Sequence, residues 1–405
     1  MKALPGSFQR PFTWFVFLFS ILAVAYYMLE WHNGRNQMAD FRVYYDACRQ
    51  LISGEEVYGN AYGVSSGFYK YSPFALIPFI PFALLPYPIA SALYYVVVMV
   101  LFALVMRYIV VSLPGVSEDS RSSKAAWWLL LTSLFAADHI ERELHLGNVN
   151  LFLLVLVFVM MRFLVQANPW KSAAVLALLM LFKPHFLILY PLLFWRCEWK
   201  VIVISALFIG LGLFIPSIVL GWERNTELLQ AWFSAIREHN GTLSESPNTI
   251  YGLLWRFSGG LISGNIALIL GLGLAGGMVF LFLLQTRRFP SAWRWFFEMF
   301  VLVALIPSLT HTDTEHFIWS LPLIGLILYL TIGYTFRNRW AVAVLMSIAF
   351  VPYVLNSPDI VGDRIRFAFD EQGGIGIANL IFVTTAAFLM ARIQGILKAG
   401  SEKVI

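Results

Sequence analysis

Asp40 is the residue whose type and setting most strongly indicate chemistry. It follows a long apolar run and stands in the aromatic stretch MADFRVYY (residues 38–45). A carboxylate held at a membrane surface can take a proton from a hydroxyl group, which is general base catalysis. The structural alternative is a helix N-cap, a position that aspartate favours, because apolar residues recur at helical spacing behind it. In either case we predict an amphipathic helix that lies on the membrane and carries Asp40 at its start.

Cationic candidates stand where apolar sequence is interrupted. Lys183 and His185 break the stretch LFKPHF (residues 182–187), and an ionisable residue at membrane depth is costly and usually functional. We expect Lys183 to meet an anionic head group; the alternative is a lysine that extends to the interface as an anchor. His316 lies at the edge of another apolar run, in SLTHTDTEHFIWSLP (residues 308–322), which indicates a second functional stretch.

Two further polar stretches admit both functional and structural interpretations. FYKYSPFALIPF (residues 68–79), with Tyr71, can be an aromatic anchor at the membrane surface or a substrate-binding loop. ADHIERELHLGNVN (residues 137–150) has the composition of a metal site, but its spacing matches no standard zinc motif. We therefore favour a solvated loop of paired charges without a metal, with Asn148 near the start of the helix that follows.

Composition places these residues on a membrane protein. The 405-residue chain is 59% hydrophobic and 13% charged, whereas soluble domains carry about 25% charged residues. We predict an all-α polytopic fold of about twelve transmembrane helices in one membrane domain, residues 1–405, because runs near spanning length recur to the C-terminus. The predicted spans are 12–30, 86–110, 125–138, 149–166, 171–183, 185–197, 200–221, 262–286, 293–310, 316–335, 340–356 and 374–392. The proline-broken stretch 73–85 is either a bent lead-in to the second span or a crossing itself.

The distribution of charge predicts the orientation. Lys and Arg concentrate in alternate connections, as the positive-inside rule expects of the cytoplasmic side. Both termini would then be cytoplasmic, with an uncleaved first span, although Ala23-Val24-Ala25 resembles a signal-peptidase site. The acidic residues and histidines would face outward, beginning with the first outer loop, residues 31–72. We predict a multi-pass protein of the inner (plasma) membrane with its site on the outer face. The net charge of +5 belongs to the cytoplasmic connections and predicts no nucleic-acid partner.

Several motifs, in this order, resemble glycosyltransferase family 87, whose members are membrane enzymes of the GT-C fold. A "DF..YY.A......G...Y" element matches residues 40–58, and a "Y.P" element with later prolines matches residues 71–86. The later elements are "G[QN].N" at residues 147–150, "KP" at residues 183–184, an element similar to "N.[ST]" at Pro247-Asn248-Thr249 ahead of Arg256, and a Ser, Asp and His turn at residues 308–322. The family's usual glutamine after the glycine is Asn148 here, and only the second histidine of the late turn, His316, is in register.

The resemblance implies transfer of a sugar, often mannose, from a polyprenyl-phosphate donor to a glycolipid or glycan acceptor among membrane lipids. Asp40 would be the general base of an inverting displacement that requires no metal or cofactor. Preorganised positive charge would stabilise the departing lipid phosphate. The candidates for it are Lys183, His316, His185 and Arg366. The resemblance adds Tyr71, Asn148 and Asn248 as further substrate-binding candidates.

Two other functions fit a polytopic chain with polar residues at one face. An envelope polysaccharide ligase or polymerase also uses outer arginines and histidines, but usually in a large late loop. A lipid or glycolipid transporter should carry charges within its spans and show internal repeats. The leading acidic motif lies in the first outer loop here, which favours the glycosyltransferase.

Overall fold

The computed structural model is almost entirely helical. It describes residues 4–36, 38–62, 67–113, 122–239, 246–287, 289, 291–310, 313–333, 336, 338–356 and 361–401. The α-helices are α1 (Gly6–His32), α2 (Ala39–Ser53), α3 (Ile80–Ala83), α4 (Tyr87–Ser112), α5 (Ser122–Phe135), α6 (Ala137–Leu146), α7 (Asn150–Val165), α8 (Pro169–Phe182), α9 (Tyr190–Trp195), α10 (Trp199–Phe214), α11 (Pro216–Leu220), α12 (Trp222–His239), α13 (Ile250–Phe257), α14 (Gly264–Thr286), α15 (Ser291–Leu309), α16 (Leu321–Gly333), α17 (Arg339–Val354), α18 (Asp363–Glu371) and α19 (Gly374–Ser401). The 3-10 helices are Pro73–Phe79, Pro184–Leu189 and Thr314–Ser320. Strands β1 (Ala61–Tyr62) and β2 (Gly67–Phe68) pair antiparallel.

The helical character confirms the prediction of a multi-pass membrane protein. Within the described residues, five helices are long and apolar enough to cross a membrane, or up to seven if each bent helix pair is one span. Helical sequence occupies most of every predicted span. The count of about twelve crossings stays a prediction, because it needs short apolar helices such as α8 and α17 to cross as well.

The chain forms two compact units. The Asp40 unit comprises residues 20–104 and 141–241, and the His316 unit comprises residues 1–19, 105–140 and 242–405. In the Asp40 unit, α8 packs on α7 and α10, while α2 packs on α3 and on the 3-10 helix Pro73–Phe79. In the His316 unit, α17 packs on α19, α13 on α14, and α15 on the 3-10 helix Thr314–Ser320.

Local sequence signals set several helix ends. Asn168 begins α8, because its side chain accepts a hydrogen bond from the backbone N–H of Lys171, and Pro169 supplies the fixed φ of a first turn. Gly54 ends α2 in a left-handed conformation with φ of 77°, which glycine adopts at little cost. These ends position the polar residues that follow α8 and α2.

The structural alternative for Asp40 and the expectation for residues 137–150 are both wrong. Asp40 is not the N-cap of α2: the capping position is Met38, and Asp40 lies in the first turn. Residues 137–146 are not a solvated loop but the helix α6, which buries His139 and Glu143. The reason is periodicity, since His139 and Glu143 are four residues apart and share one face of a helix.

Candidate active site

Asp40 is positioned by the aromatic packing of its helix. Phe41, Tyr44 and Tyr45 are buried on the inner face of α2. The Phe41 ring stacks on the ring of Tyr94 from α4, with centroids 4.3 Å apart. This packing fixes the first turn of α2 and therefore the origin of the Asp40 side chain. Asp40 itself is half-buried.

A glycine turn brings a second chain segment against this first turn. Gly147 has a φ of +69°, and a Cβ there would lie 2.7 Å from Met38 Cε and 2.8 Å from Phe41 Cβ. Only glycine combines this backbone conformation with so close an approach. The next residue, Asn148, reaches Asp40: its Nδ2 donates to Asp40 Oδ2 at 2.6 Å. Asn148 was predicted as a site residue, and the structure brings it together with Asp40.

Two tyrosine hydroxyls lie beside this pair. Tyr44 and Tyr71 are hydrogen-bonded through their hydroxyl oxygens, 3.1 Å apart. Burial, first of all, raises the pKa of both phenols well above the ordinary value, and the charge of Asp40 adds to the shift. Both phenols therefore stay neutral near pH 7, so they can donate hydrogen bonds but cannot act as bases.

Lys183 begins a buried chain of hydrogen bonds in the same unit. Its Nζ donates to Asn150 Oδ1 at 2.8 Å, and Asn150 Nδ2 donates to Glu143 Oε1 at 2.6 Å. The lysine is 2% exposed, and Asn150 and Glu143 are fully buried. Lys183 also lies 5.5 Å from the ring centroid of Tyr71. The alternative of a lysine that extends to the membrane interface is wrong, because the side chain is buried and donates to Asn150.

Two other charged residues of segment 137–150, Glu141 and His145, contact helix α1. His145 contacts Glu30 of α1 at 2.6 Å. Glu141 accepts a hydrogen bond from Tyr26, also on α1. These pairs attach the second half of α6 to α1 and do not form one cluster of metal ligands.

The remaining predicted site residues are His185, in the same unit as Asp40, and three residues of the His316 unit. His185 is half-buried in the 3-10 helix that follows Lys183. His316, Asn248 and Arg366 belong to the His316 unit. His316 is buried, with Nδ1 3.2 Å from the carbonyl oxygen of Asp313, whereas His311 lies outside the described residues.

Asn248 and Arg366 have local structural partners. Asn248 Oδ1 accepts a hydrogen bond from the Gly376 N–H at 3.1 Å, which ties it to the start of α19. Arg366 forms an ion pair with Asp370, four residues further along α18, at 3.4 Å. Among described residues, Asp313, Glu315 and His316 place ligand atoms within 4.8 Å of one another, an arrangement that could hold a metal ion.

Comparison with known proteins identifies the family. The model of glycosyltransferase family 87 matches residues 68–310, more than half of the chain. The chain belongs to glycosyltransferase family 87. It is therefore a membrane glycosyltransferase, as its motifs indicated. The matched range includes Tyr71, Glu143, Asn148 and Lys183, whereas Asp40 precedes it and His316 follows it.

Two further comparisons complete this result. No curated protein matches the sequence. Among solved structures, the crystal structure of ArnT from Cupriavidus metallidurans, bound to undecaprenyl phosphate, is similar at 14% identity and a TM-score of 0.43. That similarity covers 95% of this chain and 78% of ArnT.

Three residues of this candidate site were not among the site residues predicted from the sequence: Tyr44, Glu143 and Asn150. Tyr44 and Asn150 stand inside quoted motifs, next to residues that were chosen. Glu143 was hidden by the interpretation of residues 137–150 as a loop. Apolar residues at 140 and 144 flank His139 and Glu143, a helical period that could have placed Glu143 on a buried face.

Proposed function

We propose that this family-87 glycosyltransferase moves a sugar, mannose by family resemblance, from a polyprenyl-phosphate donor to a hydroxyl of a lipid-linked or envelope glycan acceptor. The reaction takes place on the outer face of the inner membrane and inverts the anomeric centre. Asp40 is the general base. One observation carries this proposal: a half-buried carboxylate, beside two neutral phenols, is held by a buried amide on a rigid glycine turn.

The proposed reaction is a single displacement. The acceptor oxygen attacks the anomeric carbon as its proton passes to Asp40, and the bond from that carbon to the phosphate oxygen breaks. The lipid phosphate departs with the bonding electron pair. A direct attack opposite the leaving group converts a β-linked donor into an α-linked product, and general base catalysis accelerates it by roughly 10²–10⁴-fold.

Tyr71 and Lys183 support the same site in the proposal. The Tyr71 hydroxyl, paired with that of Tyr44, is placed to donate to a sugar or phosphate oxygen. Lys183 supplies positive charge beside the Tyr71 ring, where preorganised charge can favour a departing phosphate. His185 follows Lys183 in sequence and is proposed as a further phosphate contact.

Residues of the His316 unit complete the proposal. His316 and Arg366 are proposed as cations for the donor phosphate, and Asn248 as a substrate-binding residue. Asn248 also serves the fold through its hydrogen bond from Gly376, so its loss would affect stability as well as binding.

The donor class is tested with purified protein in lipid nanodiscs. Polyprenyl-phosphate mannose is supplied with an extract of envelope glycolipids, and both lipid-phosphate release and mannose incorporation are measured. Polyprenyl-phosphate glucose and a nucleotide-activated mannose serve as matched comparison donors. We expect transfer from the lipid-phosphate mannose, with an inverted linkage by NMR. Transfer from the nucleotide sugar alone would contradict the proposal, and preference for the glucose donor would correct the sugar.

A further inference from the structure

We infer that Asn148 is a positioning residue that keeps the Asp40 carboxylate ionised and fixes its direction. The inference rests on the proposed function of Asp40, and it assigns the control of that base to a residue on a different chain segment. Asn148 is separated from Asp40 by 108 positions in sequence.

The orientation of the Asn148 amide follows from its backbone neighbour. The N–H of Val149 donates to Asn148 Oδ1 at 2.7 Å. A backbone N–H can only donate, so the amide oxygen must face Val149, and the NH₂ group must face Asp40. The donor to Asp40 is therefore fixed by geometry. Asn148 is 4% exposed, which limits its exchange of this contact for one with water.

The surroundings of Asp40 make this donor important. The titratable groups that Asp40 influences are Tyr44 on its own helix, Tyr71 before the 3-10 helix Pro73–Phe79, and Tyr94 on α4. Glu143 also acts on Tyr71, so a second carboxylate lies near the same phenol. Burial and a neighbouring negative charge both favour a protonated carboxyl group, whereas a hydrogen-bond donor favours the ionised form.

Two cations of the same unit have acidic partners. Lys183 is joined to Glu143 through Asn150. Arg42, on α2 itself, is paired with Asp46 at 2.6 Å. The N-terminus of α2 adds a favourable field, and Asn148 Nδ2 donates to Asp40 Oδ2 at 2.6 Å.

Replacement of Asn148 tests the inference through protonation and through rate. The Asn148→Asp variant keeps the size of the side chain and the acceptor for Val149 but replaces the donor with a second carboxylate, so its shift combines the lost donor with an added like charge. Carboxyl infrared absorption, taken as the difference between each protein and the same protein carrying Asp40→Asn, follows the titration at position 40. We expect this titration, and the acid limb of kcat/KM for polyprenyl-phosphate mannose, to move to higher pH by at least about one unit.

Three further variants make the result decisive. Asn148→Ala should shift the titration less than Asn148→Asp, and Asn148→Gln, which restores an amide donor, should return it toward the wild-type position. Asn225→Ala is the matched control, because the Asn225 amide is also buried but donates to Leu213 and Ser217. It should lower stability without moving the titration.

The possible contradictions separate the inference from the proposed function. An unchanged titration in Asn148→Ala would overturn the role of Asn148, even if activity falls. Full activity of Asp40→Asn would instead overturn the proposed function, while the infrared titration would still report whether Asn148 controls the carboxylate. If Asn148→Ala does not fold, Asn148→Leu, which has nearly the same size and removes the donor without adding a charge, takes its place.

Discussion

Asp40→Asn is the sharpest test of the catalytic assignment, because it removes the base and little else. Asparagine has nearly the same shape, and its side-chain oxygen can still accept the hydrogen bond from Asn148. The aromatic packing of Phe41, Tyr44 and Tyr45 is untouched, since these side chains lie on the inner face of α2. The acceptor hydroxyl, however, loses the group that takes its proton.

The structure sets the expected magnitudes. Turnover should fall by roughly 10²–10⁴-fold, the usual value of general base catalysis. The free energy of unfolding should fall by about 1 kcal/mol, because a charge in the first turn of a helix and a charge-assisted hydrogen bond are lost. Donor affinity should persist, because the phosphate contacts are proposed elsewhere.

Asp46→Asn provides the matched control. It removes a carboxylate from the same helix and breaks the partly exposed pair with Arg42, which stabilises the fold by about 0.2–1 kcal/mol. The two variants should therefore melt at similar temperatures, and only Asp40→Asn should lose transfer. The assay measures sugar transfer, donor binding and thermal unfolding for both. Near-normal transfer by Asp40→Asn would refute the assignment, and so would equal losses in the two variants.

Three further predictions follow from named contacts. Gly147→Ala should lower both stability and transfer, because its Cβ would meet Met38 and Phe41. The control Gly59→Ala, with a φ of +82° and nothing within 4 Å of its Cβ, should lose only about 1–2 kcal/mol of stability through backbone strain. Equal unfolding temperatures for the two variants would contradict this reasoning. Lys183→Met should lower the free energy of unfolding by about 3–5 kcal/mol, because Glu143 is left buried without its compensating charge. In the double variant with Glu143→Gln, denaturant titration should show restored stability, whereas sugar transfer should stay low. Restored transfer would remove Lys183 from the mechanism. Burial raises the pKa of the Cys48 thiol to about 12, whereas Cys197 is exposed. A membrane-impermeant maleimide should therefore modify Cys197 alone, and only from the cytoplasmic side. Labelling of Cys197 in intact cells would reverse the predicted orientation.

The sequence predicted the helical segments well, because long apolar runs leave few alternatives. It also indicated Asp40, Asn148, Tyr71 and Lys183, which the structure brings into one unit. It could not predict that Asn148 holds Asp40, because 108 positions separate them. That contact depends on the close approach of Gly147 to Met38 and Phe41, which is a property of packing and leaves no local periodicity.

Lys183 shows why local reasoning fails for charges. Its place between two apolar runs predicted an edge position with an anionic ligand or with water. The structure instead buries it, with compensation from Glu143, 40 positions earlier, through Asn150. A charge inside a protein is stable only with such partners, and the partners can come from any segment that the fold brings close.

The same compensation distinguishes the two carboxylates that act on Tyr71. Glu143 is fully buried, and its charge is balanced by Lys183 through a shared amide. A proton acceptor must come within hydrogen-bond distance of the acceptor hydroxyl, and a side chain without exposed surface does not offer that approach. Asp40 is half-buried, stands at a helix N-terminus and receives a donor from Asn148. Exposure and charge balance therefore favour Asp40 as the base, with Glu143 as the counter-charge that keeps Lys183 in place.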